Sequence, residues 1–558
     1  MYEKYVISAI EKGIIPDTNE DLSGKIIDLI SENRENCKII FAPGNYFIKK
    51  RIEVEGLKNV DIIGYGAKII SAINVTVNYG CSGGFRFDKC DDCSISGFSF
   101  NTERATNVSA RVTAINLENN TFDVKVDDKF IFNGSEKIFG LDSMNENYSC
   151  NFHMGLSDNN SYKYEMIGEK HLRISLWHTV AYTLKNISVG ELICLRHGLY
   201  SMPPFVFSAC NRILLEDITV ESTAGHCCGV YPRSSNFTFR RFNVREAVNS
   251  CQPYTSCSDG IHIKGLTGKL ILENCHFYNM GDDALNIHNS AGTVFSVDGN
   301  ILKIGMRVPN QFLNEPPKTL LPEDWAQKGD IIYIYDENTL KRVGSFEIEE
   351  FKTEDGYNVA KISNFNGVLY EGLKLANSAY NAEVCINNCS VTGSRARGFL
   401  LQTENVNIQN CRFSRITSAG LMLCCDVSRW NELGPVRKAI IKNNVFDGCG
   451  VNMNRLRAGG IVIGVNHINL CAEKVEHQGV HENIEISNNK FIELKDSAIF
   501  ADAVSGLKIT DNIFQNCCND IENRPKEYCS DIVLFNCDNL KLENNVDLIK
   551  SDISVFKD

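Results

Sequence analysis

One pattern returns through most of this chain every 22–24 residues. Segments from Asp259 (DGIHIKGLTGKLILENCHFYN), Arg397 (RGFLLQTENVNIQNCRFSRI), Ser497 (SAIFADAVSGLKITDNIFQNC) and Asp531 (DIVLFNCDNLKLENNVDLI) share it. Each has a short alternating strand, a tight turn, a second strand, then Asn-Cys, Asp-Asn or Asn-Asn and another apolar step. Asn388 and Asn410, each preceding a Cys, lie 22 residues apart, and Asn488 and Asp511 lie 23 apart. Alternation gives period-2 strands with one buried face. Three short strands per recurrence fit one turn of a right-handed parallel β-helix, rising about 4.8 Å per coil. The Asn and Cys then stack as internal ladders, with Cys a small buried hydrophobe. A leucine-rich repeat would need an L-x-x-L-x-L-x-x-N frame, which is absent.

Two stretches break the rhythm. Residues 103–204 alternate (TAINLENNTFDVKVDDKFIF) without an Asn-Cys step, and residues 289–380 carry GTVFSVDGNILKIG and GDIIYIYDENTLKRVGSFEIEEF. Both read as antiparallel β subdomains inserted on coil loops, the second barrel-like. The expected organisation is therefore an N-terminal cap and first coils over 1–102, an insert over 103–204, and central coils over 205–288. A second insert over 289–380 and C-terminal coils over 381–558 complete it. Ile26, Ile27, Leu29 and Ile30 have helical spacing, which predicts a capping helix over the open end. The fold class is all-β.

Bulk composition narrows the partners. The net charge of −12 argues against nucleic acid or an anionic membrane. No apolar run reaches the ~18 residues of a membrane span. The N-terminus has no basic segment followed by an apolar core, so a cytoplasmic protein is expected as the sequence stands, or a secreted one if a leader was removed. The 23 cysteines are then read as reduced thiols. No CxxC pair has zinc spacing, so no metal site is expected.

Aligning coils on their first strand puts Asp259-Gly-Ile-His-Ile-Lys264 under Asp283-Ala-Leu-Asn-Ile-His288. Arg397–Gln402 and Ala419–Cys424 follow. Asp259 and Asp283 then occupy equivalent places, about one strand spacing apart at the backbone. Asp282 projects elsewhere. Ile261, Ile263, Leu285 and Ile287 alternate into the core, so His262, Lys264, Asn286, His288 and Gln402 share the outer face. Strict alternation turns Asp259 and Asp283 inward, unless a bend beside Gly260 and Ala284 re-aims them. An isolated Asp-Asp ordinarily caps a turn; the aligned Asp259 is what gives this pair a catalytic reading. Three carboxylates suit inverting glycoside hydrolysis, with acid and base roughly 6.5–9.5 Å apart, and mutual repulsion keeps one protonated near neutrality. Arg395 and Arg397 share the next coil's entrance. Asp426, Trp430 and Glu432 sit on a loop where Trp430 could stack a sugar ring or merely pin the loop. His226 precedes the matching strand one coil below. As surface or structural groups these residues would be unremarked; here they are candidate substrate contacts.

SDGIHIKG, NCHF and GDDALNIH, with FAPGNYFI, SRARGFLLQT and DVSRWNELGPVR, resemble glycoside hydrolase family 110. The resemblance spans most of the chain and is most specific at Asp259 and the Asp282-Asp283 pair. It implies an inverting α-1,3-galactosidase acting on terminal galactose of blood-group B or linear type. Asp259, Asp282 and Asp283 match the family's acidic positions. By likeness to polygalacturonases Asp282 is the general acid, leaving Asp259 and Asp283 to hold the attacking water. No cofactor is implied. A polygalacturonase shares the Asp-Gly and Asp-Asp steps, but its Gly-His-Gly and Arg-Ile-Lys motifs are replaced here by RGFLLQ and AGLMLC. A pectate-type lyase would need a Ca²⁺ site and an Arg base, and a non-catalytic glycan-binding β-helix would not need its Asp pair. The expected partner is an α-galactoside oligosaccharide or glycan; homo-oligomers, if formed, would use the inserts.

Overall fold

The computed structural model describes all residues except 1–3, 75–79, 82, 147–149, 157–160, 179–180, 199–200, 249, 251, 308–317, 428–429, 452–458, 466–478 and 520–528. Among the described residues, three sheets of 13, 12 and 12 parallel strands run along the coils, and the short strand Glu432–Leu433 joins the third antiparallel. Each coil contributes one strand to each sheet. In one central coil these are Leu266–Glu273, His276–Tyr278 and Leu285–Ser290. One continuous apolar core fills the space between the sheets. Phe413, Phe446, Phe491 and Phe514 stack through it with ring centroids 4.9–5.1 Å apart. That spacing is the coil rise, so one aromatic per coil makes a continuous column.

The Asn-Cys and Asn-Asn steps divide two tasks. Their first residue turns the chain through positive φ, as at Asn274 (57°), Asn388 (53°), Asn410 (57°), Asn443 (58°) and Asn488 (56°). Asn tolerates that left-handed region better than most L-residues. The second residue faces the core and accepts the main-chain N–H of its counterpart one coil below. Cys389 N–H reaches Cys411 Sγ at 3.5 Å, and Cys411 N–H reaches Asn444 Oδ1 at 2.8 Å. Asn444 and Asn489 continue the ladder at 2.9 Å each, to Asn489 and Asn512. Sulfur is thus an acceptor in this stack as well as an apolar filler. Cys210, Cys275, Cys389 and Cys411 in this stack are thiols, not disulfides.

At the N-terminus the helix Ser23–Glu32 buries Ile26, Leu29 and Ile30 in the main core. Ile27 is only partly buried. Two seven-stranded antiparallel sheets interrupt the coils: the first runs from Asn107 to Arg196, with Cys150–Leu156 and Tyr162–Gly168 as its edge strands, and the second begins at Gly292. Each has its own apolar cluster. The second is tied to the coil it interrupts: the Trp325 indole donates to Ser290 O at 2.9 Å, and Asn289 donates to Asn377 O at 2.7 Å. Among the described residues no helix is long and apolar enough to cross a membrane.

Candidate active site

The third sheet carries the candidate residues. Ile261–Lys264 pairs in parallel with Leu285–Ser290, Phe399–Leu401 follows, then Ala419–Cys425. His262 lies beside Asn286, and Lys264 beside His288. The register is the one the alignment expected, and it makes Asp259, Asp283 and Arg397 equivalent on successive coils.

The alternation conflict at the aspartates disappears because the strands begin only at Ile261 and Leu285. Asp259 and Asp283 lie in the bends just before them. Gly260 permits this bend: a Cβ there would sit 2.4 Å from Ala284 O and 2.8 Å from the Phe277 ring. Asp259 Oδ1 accepts the Asp283 N–H at 3.1 Å, and Oδ2 accepts from His262 Nδ1 at 2.8 Å. His226 Nδ1 lies 3.5 Å from the same oxygen, and the His226 and His262 rings stack at 4.6 Å.

Asp283 is held from the coil above. Arg397 donates its main-chain N–H at 2.8 Å and its guanidinium at 2.6 Å to the two carboxylate oxygens. Asp282 pairs with Arg395 at 3.0 Å. Its side chain is 18% exposed, against 6% for Asp259 and 2% for Asp283. The three carboxylates each bring an oxygen within 4.8 Å of the others. This is tighter than the separation expected from coil spacing. The reason is local: Asp282 and Asp283 are consecutive, and Asp259 reaches up to the Asp283 main chain.

Such crowding sets the protonation. Burial pushes Asp283 up to about 7, helped by Asp282 and Asp259 and opposed by Arg397. Burial also acts on Asp259, but His226, His262 and the Asp283 N–H outweigh it and hold that carboxyl low. Burial lowers His226 to about 4. For His262 the burial penalty is outweighed by the Asp259 contact, and its pKa is raised. Asp283 thus retains its proton near neutrality under the combined charge of its two acidic neighbours.

The outer face is covered rather than open. Asn286 and His288 are each 6% exposed and Gln402 is fully buried. The cover is a hairpin: Glu432–Leu433 pairs antiparallel with Asn289 and Ser290, and Asp426 bridges Glu432. Gln402 donates to Glu432 at 2.6 Å and accepts the Asp426 N–H at 3.2 Å. It therefore positions Glu432, which lies 3.6 Å from His288 Nε2. Burial and Asp426 push Glu432 up to about 7. Burial, His262 and Lys264 hold His288 well below its usual value, and burial lowers half-buried Lys264. His288 and His262 approach at 3.4 Å. Among the described residues, the buried Asn286 Oδ1 and Arg397 Nε atoms have no hydrogen-bond partner. Trp430 stands 52% exposed at the hairpin tip; Ser428 and Arg429 beside it lie outside the described residues.

Among the described residues, two groups of ligand atoms are close enough to hold a metal ion: His226, Asp259 and His262, and the three aspartates. Arg395 and Arg397 already neutralise two of the three carboxylates, which opposes a divalent cation there.

Sequence reasoning missed three residues of the first insert. Asp142 is fully buried, with Arg196 Nε 2.9 Å from Oδ2 and His153 Nδ1 2.7 Å from Oδ1. Arg196 reaches the loops below Asp259 and Asp282. Nothing in the insert's alternating pattern signals this.

The chain is similar to curated α-1,3-galactosidases. It is 27% identical over 342 residues to α-1,3-galactosidase A of Bacteroides thetaiotaomicron, covering 60% of this chain and 55% of that protein. Identity to α-1,3-galactosidase B of the same organism is 24% over 365 residues, or 64% of this chain and 56% of that one. The chain thus spans little more than half the length of these relatives. No protein-family model matches. Among solved structures, the exopolygalacturonase of Thermotoga maritima superposes with a TM-score of 0.47 at 13% identity, covering 96% of this chain and 91% of that one.

Proposed function

We propose that this protein is an exo-acting glycoside hydrolase that removes terminal α-1,3-linked galactose with inversion. The observation carrying the reading is the convergence of Asp259, Asp282 and Asp283, each held by different partners. The named relatives support a glycosidase and an α-galactoside substrate.

Asp282 is the general acid, because its side chain is the most accessible of the three. One of its oxygens lies 3.0 Å from the Arg395 guanidinium. It gives its proton to the glycosidic oxygen as the bond to the anomeric carbon breaks. Asp259 and Asp283 orient the attacking water and take its proton. His262, Lys264, Asn286, His288, Asp426 and Glu432 supply polar contacts to the sugar, with Trp430 at the rim. Arg395, Arg397 and Gln402 act mainly by holding the acidic groups. A covered face suits a chain end better than a continuous chain, hence the exo mode. Inversion rests on the motif resemblance.

The test is hydrolysis of synthetic α-1,3-, α-1,4- and α-1,6-galactosides and galacturonides, with NMR of the first-formed anomer. Preferential release of β-galactose from the α-1,3 substrate is expected. An α-product overturns inversion, and cleavage confined to galacturonides overturns the galactosidase reading.

A further inference from the structure

We infer that Arg196, from the first inserted subdomain, is a positioning residue for the proposed acid Asp282. The inference rests on the reading of Asp282 given above. Arg196 is fully buried at the end of the strand Leu192–Arg196. Its guanidinium Nη1 donates to Cys257 O at 3.1 Å and Gly281 O at 3.4 Å. Cys257 lies two residues before Asp259, and Gly281 immediately precedes Asp282. One planar guanidinium thus spans the two coil loops that present the carboxylates. Gly281 O also accepts from Arg395 Nε, and the same Arg395 pairs with Asp282. The two arginines share one carbonyl, so displacement of either shifts the chain entering Asp282.

The surroundings keep Arg196 in place. Asp142 balances its charge, and His153 occupies the other Asp142 oxygen. Gly140 leaves room: a Cβ there would sit 2.6 Å from Arg196 Nη2. The insert is locked to the coil by reciprocal bonds. Asn107 Nδ2 donates to Tyr254 O at 2.8 Å, and Asn107 Oδ1 accepts the Tyr254 N–H at 2.8 Å. Thr417 donates to Cys150 O at 3.0 Å. Gly281 packs directly on the Cys257 main chain, where a Cβ would meet it at 2.6 Å. Arg196 serves both carbonyls from Nη1 while Nε, on the other side of the same plane, faces Asp142; the single nitrogen of an ammonium has no such separated donors. The insert is therefore part of the acid's support.

Two substrates separate acid positioning from general damage. An α-1,3-linked disaccharide needs its leaving oxygen protonated, whereas a dinitrophenyl α-galactoside does not. In Arg196→Lys the charge opposite Asp142 is kept; in Gly140→Ala the guanidinium is pushed aside with every charge kept. Each is expected to lose about 10–100-fold in kcat on the disaccharide and little on the dinitrophenyl substrate, part of the full general-acid contribution. The control is Asp282→Asn, which should show the same selectivity more strongly. If Asp282→Asn affects both substrates equally, the acid assignment fails. If Asp282→Asn discriminates and the Arg196 and Gly140 variants do not, the inference about Arg196 is overturned. A variant too unstable to assay leaves the other to decide; equal losses on both substrates would also overturn it.

Discussion

Arg397 donates to both carboxylate oxygens of Asp283, one through its main chain and one through its guanidinium. The pair is nearly buried, with side chains 19% and 2% exposed. Truncating one member of such a pair typically costs about 3–5 kcal/mol, because the other charge is left uncompensated. Asp283 can escape part of that cost by binding a proton, since its pKa is already raised. Arg397→Met should raise it further. A carboxyl raised above its unfolded value destabilises the fold increasingly as pH rises from that value to the folded one. Parent and variant share that loss up to about pH 7, so the variant's thermal midpoint should fall further relative to the parent only above about pH 7, where the parent's Asp283 has ionised and the variant's has not. A pH-independent difference would show that Arg397 does not stabilise the ionised Asp283.

The cluster's retained proton makes a kinetic prediction. In the proposed reaction the active form carries one proton on the three carboxylates, placed on Asp282 as the bond breaks. Loss of that proton is a property of the whole cluster, with Asp283 marking the step at about 7. kcat/KM on a disaccharide should fall about tenfold per pH unit well above that value. An activity that rises through pH 7 and stays high to pH 9 would contradict a proton-bearing cluster.

Charge balance bears on metal dependence. Arg395 and Arg397 already face Asp282 and Asp283. A calcium ion would have to displace them or share their carboxylates. Exhaustive treatment with EDTA should leave turnover unchanged, and added Ca²⁺ should not raise it. Loss on chelation with recovery on Ca²⁺ would favour lyase chemistry.

The sequence made the coil stack legible because Ile261, Ile263, Leu285 and Ile287 alternate and the Asn-Cys steps recur. That was enough to bring Asp259 beside Asp283. It could not give side-chain direction before a strand starts, so the coil spacing predicts carboxylates farther apart than the structure has them. Nor could it show the covered face. Glu432 reaches Gln402 only because its hairpin pairs with Asn289 and Ser290, a contact with no periodic signature. Asp142 and Arg196 illustrate the same limit: their pairing depends on how an antiparallel insert docks.

Glu432 provides a test of the sugar-contact reading. Gln402 holds one of its oxygens, and the other lies toward His288. If Glu432 contacts substrate before and during reaction alike, Glu432→Gln should raise KM about tenfold with a smaller change in kcat. Gln402→Leu should reproduce the effect more weakly, because it frees Glu432 without removing it. A loss confined to kcat would instead assign Glu432 a part in proton transfer.

The two positions of an Asn-Asn step should differ in their sensitivity to substitution. Asn488 turns the chain at φ 56°, whereas Asn489 faces the core. Asn489 Oδ1 accepts the Asn444 N–H at 2.9 Å and its amide at 3.0 Å, while Asn489 Nδ2 donates to Ile441 O at 2.9 Å. Asn489→Leu fills the space but leaves those buried groups unmade, at about 1–3 kcal/mol each. Asn488→Gly keeps the left-handed turn at little steric cost. Thermal or denaturant unfolding should therefore show a large loss for Asn489→Leu and a small change for Asn488→Gly. If the two are equally tolerated, the ladder's hydrogen bonds contribute nothing beyond packing, and the recurrent Asn at the second position would need a different physical cause.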